Sequence, residues 1–104
     1  MEFADSPPVL RCVGDEDLNT QSLRRRALIR AIRAERDVIV DLSELVFADG
    51  SLMADLAMVS QRLRRCGRAL LLRGAQPQII AVIEKTGLHR LPGIRIDGPW
   101  PALA

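Results

Sequence analysis

Short apolar runs alternate along the chain with longer stretches whose apolar positions recur every three or four residues. Phe3 belongs to a very short opening strand ended by Ser6-Pro7-Pro8, and Val9 to Val13 reads as the next strand, closed by Gly14 and the acidic loop Asp15-Glu16-Asp17. Asn19 or Thr20 caps a first helix running to about Ala34, with Leu23, Ala27, Leu28, Ala31 and Ile32 on one face. Asp37 breaks into Val38-Ile39-Val40, an apolar run of the kind covered on both sides or buried centrally, and this strand reaches Leu42 before a short loop.

A second helix is expected from about Ser51 to Arg65. Leu52, Leu56, Val59 and Leu63 form its core stripe, and Met53, Ala57 and Ser60 lie beside it. Gly67 ends this helix in the left-handed conformation. Ala69 to Leu72 is the next strand, and Gly74-Ala75-Gln76 leads to a third helix with Pro77 at its first position and Ile79, Ile80 and Ile83 on its inner face. Gly87-Leu88 reads as a Schellman stop, Ile94-Arg95-Ile96 as a last short strand and Pro99-Trp100-Pro101 as a tail.

The order of elements predicts an α/β fold: one domain over residues 1–104, with a mixed, mostly parallel sheet of four to five strands and three main helices. A chain of 104 residues is long enough to bury about 65% of its unfolded surface without staples. With 48% hydrophobic, 27% charged and only 3% aromatic residues, the core must be aliphatic. No segment approaches the ~20 apolar residues that span a bilayer, and the acidic opening Met1-Glu2-Phe3-Ala4-Asp5 is unlike a signal peptide, so a cytoplasmic location is expected. Cys12 and Cys66 then read as a reduced pair, and His89, alone in a loop, is given no catalytic or metal role.

The net charge is only +2, yet Arg24, Arg25, Arg26, Arg30, Arg33 and Arg36 crowd the first helix against the single Glu35. Two readings stay open: a solvated helix face, or a docking surface for an acidic protein. Nucleic acid is not expected, because no recognition motif accompanies the arginines and stacking aromatics are nearly absent. Membrane attachment fails for want of Trp or Phe beside the basic face.

Enzymatic chemistry finds little support. Phosphate-loop, dinucleotide and nucleophile-elbow patterns are absent, and the single lysine, Lys85, sits beside Glu84 in a surface role. Asp41 and Asp49 lack the clustered acids and lysine of a phosphoryl-aspartate site. No catalytic residue, metal ligand or cofactor is assigned.

What remains is the turn Asp49-Gly50-Ser51, which sets a hydroxyl at a helix start where backbone N–H groups and the macrodipole favour negative charge. Ser51 there suits reversible phosphorylation, and Ser51 or Asp49 equally suits a helix cap. The two roles are compatible.

Val38-Ile39-Val40-Asp41-Leu42-Ser43 followed by Phe47-Ala48-Asp49-Gly50-Ser51 resembles the signature of STAS domains, the anti-sigma factor antagonist family. Val9 to Val13 with Gly14 and Asp17-Leu18 is similar to the family's second strand and turn, Leu63 to Leu72 to its helix-glycine-strand segment, and Ile83 to Leu91 to its close. The resemblance implies a partner-switching module. Its unphosphorylated form binds a serine-kinase anti-sigma factor, the kinase phosphorylates the serine two residues after the aspartate (here Ser51), and a phosphatase of the PP2C type reverses the step.

The chain departs from the common Asp-Ser-Ser/Thr-Gly pattern: Gly50 removes a neighbouring hydroxyl, and Leu52 stands where a glycine would admit a partner backbone. These departures motivate a second reading, a STAS subunit of a lipid-transport ABC complex or another docking module without a phosphate cycle. The expected partner surface comprises Asp49, Gly50, Ser51, Leu52 and Met53, with Ser43 and Glu44 in the preceding loop and Asp17 and Asn19 at the same end of the sheet. A homodimer through the short edge strand stays open.

Overall fold

The computed structural model describes residues 1–100, so Pro101 of the expected tail lies outside the described residues. Five strands, β1 (Glu2–Asp5), β2 (Pro8–Glu16), β3 (Val38–Ala48), β4 (Leu70–Arg73) and β5 (Ile94–Asp97), form one sheet in the order β1-β2-β3-β4-β5. Three helices, α1 (Gln21–Ile32), α2 (Gly50–Arg65) and α3 (Pro77–Thr86), connect β2 to β3, β3 to β4 and β4 to β5. The β1–β2 pair is antiparallel and the three pairs joined through helices are parallel, as crossover connections require.

The core lies on one face of the sheet. Leu10, Val40 and Leu72 stand side by side in register, as do Val38, Leu70 and Ile94, and all six are buried. Leu28, Leu56, Val59, Leu63, Ile79 and Ile83 of the helices close over them. Each fully buried Leu or Ile contributes about 1.5–3 kcal/mol relative to exposure.

β3 is the central strand of the sheet, one of the two places its apolar run allowed, but it is not covered on both sides and it is longer than expected. Its other face is not covered: Ile39 is half-buried, in a row with Val9 and Leu71. The adjacent row carries Glu2, Arg11, Asp41, Arg73 and Asp97, one from each strand, alternating in sign across the whole sheet. Cross-strand neighbours of opposite charge are favourable, which keeps this open face wet yet ordered. β3 also continues past Leu42 to Ala48, with register shifts against β2 between Arg11 and Val13 and between Gly14 and Asp15. Each bulge breaks the two-residue alternation, which makes the second half of the strand read as a loop.

Gly67 and Gly87 adopt φ of 74° and 81°, and Leu88 packs back onto the core after Gly87 as a Schellman stop requires. The first helix is the poorest match to its reading. It ends at Ile32, and Leu23 is 78% exposed, so it does not belong to the inner face. The inner stripe is Arg24, Leu28 and Ala31 at i, i+4 and i+7.

Candidate functional site

The C-terminal ends of β2 and β3 meet the start of α2, and the contact is built from backbone and carboxylate oxygens. The Asp49 N–H donates to the Glu16 carbonyl at 3.3 Å, tying the two strand ends. Asp49 is the helix cap: its Oδ1 accepts the Ser51 N–H at 2.9 Å and the Ser51 hydroxyl at 2.5 Å. Its Oδ2 accepts the Leu18 N–H at 3.0 Å from the turn after β2. The Ser51 hydroxyl and these backbone donors stabilise the carboxylate and hold the Asp49 carboxyl below its ordinary value near 3.8.

The turn after β2 has its own cap. Asp17 Oδ1 accepts the N–H groups of Asn19 and Thr20 at 2.9 and 3.2 Å, while Thr20 Oγ1 accepts the Asp17 N–H at 3.0 Å. This reciprocal box rigidifies Leu18 and Asn19, both exposed. Asp17 and Asn19 therefore lie at the same end of the sheet as Asp49, joined to it through Leu18.

Not every expected surface residue is at the surface. Leu52 is 0% and Met53 4% exposed, so both belong to the core and offer nothing to a partner. Leu52 sits on the inward stripe of α2 with Leu56, Val59 and Leu63, and it does not stand in the way of an approaching backbone. Gly50 is exposed, and a Cβ built there would meet nothing within 4 Å, so no steric demand calls for glycine.

Ser43 and Glu44 are in strand β3 rather than in a loop, on the bulge opposite Val13. The Ser43 N–H and hydroxyl donate to Asp41 Oδ1 at 3.0 and 2.7 Å, lowering the Asp41 pKa, and the Ser43 carbonyl accepts from Gln76 at 3.0 Å. Glu44 pairs with Arg11.

The arginine-rich helix does not behave as a uniform face. Arg25, Arg26, Arg33 and Arg36 are exposed. Arg30 lies over the Phe3 ring, 5.2 Å from its centroid, and 3.5 Å from Asp5, pinning β1. Arg24 is fully buried, against the reading of a solvated helix face. Its Nε donates to Asp55 at 2.8 Å, and its Nη1 donates to the Asp17 carbonyl at 2.9 Å and to Glu16 and Thr20 at 3.3 Å. Its Nη2 donates to the Ser51 hydroxyl at 3.1 Å. Glu16, 4% exposed, also accepts the chain's first amino group at 3.4 Å.

Glu16, Arg24 and Asp55 are site residues that sequence reasoning missed. The available signal was positional: Arg24 shares a helical stripe with Leu28 and Ala31, and such a site is occupied by a charge only when partners accompany it.

Leu18, Val46 and Phe47 are 68%, 56% and 51% exposed; Leu18 is tied to the Asp49 cap through its N–H, and Val46 and Phe47 precede the turn in β3. Among the described residues, no three His, Cys, Asp or Glu side chains gather in a way that could hold a metal. Nor is any described helix long and apolar enough to cross a membrane. Burial pushes the Cys12 thiol up to about 12, so it is inert packing.

Comparison with known proteins agrees with this architecture. The STAS domain model matches residues 1–97. The chain is similar to the anti-sigma factor antagonist SpoIIAA in its unphosphorylated form, at TM-score 0.64 and 18% identity over 88% of this chain and 80% of that one. It is also similar to a sulfate transporter family protein from Wolinella succinogenes, at TM-score 0.67 and 13% identity over 84% of this chain and 74% of the other. No curated relative matches. The match over nearly all of the described residues, on a five-strand sheet with this helix-start turn, places the chain in the STAS domain family.

Proposed function

We propose that the protein is an anti-sigma factor antagonist that binds a serine-kinase anti-sigma factor, with Ser51 as the phosphorylation switch. The observation that carries this reading is the setting of Ser51: a half-buried hydroxyl on the first turn of α2, bonded to the Asp49 cap whose other carboxylate oxygen holds the exposed Leu18. An exposed apolar side chain beside a polar centre suits a docking surface, and a charge added at that centre opposes docking. Asp49, Gly50, Asp17 and Asn19 rim it, and Ser43 and Glu44 extend it along β3. On this reading the domain is a binding module, not an enzyme.

Phosphorylation forms a bond from Ser51 Oγ to the γ-phosphorus of ATP as the bond to ADP breaks. The hydroxyl proton, held toward Asp49 in the unmodified protein, leaves to a base. The product carries about −1.5 to −2 charge at the centre of the docking surface. Weakening a nanomolar complex to micromolar takes about 4 kcal/mol, within reach of one desolvated charge conflict. A PP2C-type phosphatase restores binding. Titration calorimetry of the kinase with the unmodified and the phosphorylated chain tests the switch: tight binding of the first only is expected, and equal binding of both contradicts it.

A second reading, a docking module without a phosphate cycle such as the STAS subunit of a lipid-transport ABC complex, draws support from Ser51's two existing hydrogen bonds, to Asp49 and from Arg24. A stable complex with a transporter ATPase subunit, and none with a kinase, would favour it.

A further inference from the structure

A fully buried guanidinium stands beside the hydroxyl proposed for phosphorylation. Most of its donors are already engaged, Nε by Asp55 and Nη1 by the Asp17 carbonyl, Glu16 and Thr20. Nη2 carries two N–H groups, and among the described residues the Ser51 hydroxyl is its one acceptor. One N–H on the atom nearest Ser51 is therefore open to a further oxygen.

Phosphorylation would change the balance at this point. Unmodified Ser51 donates its proton to Asp49 Oδ1 and accepts from Arg24. Once Oγ is esterified that proton is gone, and the Asp49 carboxylate becomes a repulsive neighbour of the new dianion. Arg24 becomes the attractive one. Its side chain is already desolvated and oriented by Glu16, Asp17 and Thr20, so little ordering remains to be done, and a charge-assisted pair from a guanidinium to a phosphate oxygen is strong.

We propose that Arg24 is a built-in counter-ion for phosphorylated Ser51, drawing the phosphate onto the seam between α1 and α2 through the open N–H of Nη2 while Nε keeps Asp55. The inference rests on Ser51 being the modified residue. It adds that the modification is read inside the fold as well as at the docking surface, because Arg24 also joins the two helices through Asp55.

The test needs no kinase. Phosphoserine is placed at position 51 during synthesis by codon reassignment, and its second pKa is followed by phosphorus NMR in the wild-type chain and in a Glu16→Gln/Arg24→Gln chain. The double substitution neutralises the buried pair without stranding the Glu16 charge. An exposed phosphoserine titrates near pH 6; the wild-type value should lie about one unit below that of the double variant. Equal values overturn the proposal.

If the variant does not fold, the nitrogen and proton resonances of the Arg24 side chain decide in the wild-type chain. They should move on phosphorylation, and unmoved resonances overturn the pairing. A chain that kinases leave unmodified but that shows the pKa difference refutes the switch and keeps the pairing. Modification by a kinase without that difference does the reverse.

Discussion

Leu52 shows how one side chain separates two accounts of the site. At 0% exposure it belongs to the core stripe of α2, so its substitution is a packing event. Leu52→Ala should cost about 2–5 kcal/mol in urea unfolding, and Leu52→Gly more, since glycine also loses about 1 kcal/mol of helix propensity. Neither should strengthen partner binding in the fraction that stays folded. Gly50→Ser, by contrast, meets open space and should leave the unfolding midpoint within about 0.5 kcal/mol of the parent.

Asp49 is the residue whose protonation matters at this site. Its folded pKa is depressed, so it contributes stability above its ordinary value near 3.8, and that contribution is lost as the pH falls through the lower folded value. Thermal midpoints of the wild type and Asp49→Ala, measured from pH 7 to pH 2, should differ at neutral pH and converge in acid. Asp49→Asn, which keeps a capping oxygen, should lose less than Asp49→Ala at neutral pH. The cap was legible in the sequence as one of two candidates. Choosing between Ser51 and Asp49 required the backbone, which is extended at Asp49 and already helical from Gly50.

Among the elements, the seam between α1 and α2 holds the largest difference between sequence and structure. Arginine is read as a surface residue because a lone buried charge is prohibitive, and that rule gave Arg24 to solvent along with its neighbours. What defeats the rule is partnership across distant segments: Glu16 from β2 and Asp55 from α2. Those pairings lie eight and thirty-one residues away, and no local pattern exposes them. Removing one member should therefore be severe. Arg24→Gln alone leaves buried Glu16 with only the chain's first amino group and takes the partner from Asp55, and should cost about 3–5 kcal/mol, while Glu16→Gln/Arg24→Gln should recover part of that loss; chemical unfolding of the three chains measures it. Strand β3 was misread for a different reason. Its first half, Val38 to Leu42, was legible as a strand, but two bulges disturb the alternation beyond it. The same bulges leave the neighbours Val46 and Phe47 both exposed, which an unbroken strand would not do.

For the molecule as a whole, the fold class, the order of its elements and the position of the turn were all legible, since short loops and strong periodicity dictate them. Which residues of the expected partner surface are exposed was legible only in part, because whether a side chain near a helix start faces out or in depends on how the helix docks. The exposed apolar residues near the turn in the chain are Leu18, Val46 and Phe47, and the proposed docking surface draws on them. Leu18→Ala and Phe47→Ala should each leave unfolding within about 0.5 kcal/mol of wild type, yet each should weaken a kinase complex by about 1 kcal/mol or more in calorimetry.

The central claim is that Ser51 is a switch. Intact-mass spectrometry after incubation with candidate serine-kinase anti-sigma factors and ATP, beside a Ser51→Ala control, tests it most directly. One added phosphate that the control lacks is the predicted result. An unmodified chain that nevertheless holds a stable complex would contradict it, and leave Ser51 as a hydroxyl bound between Asp49 and Arg24.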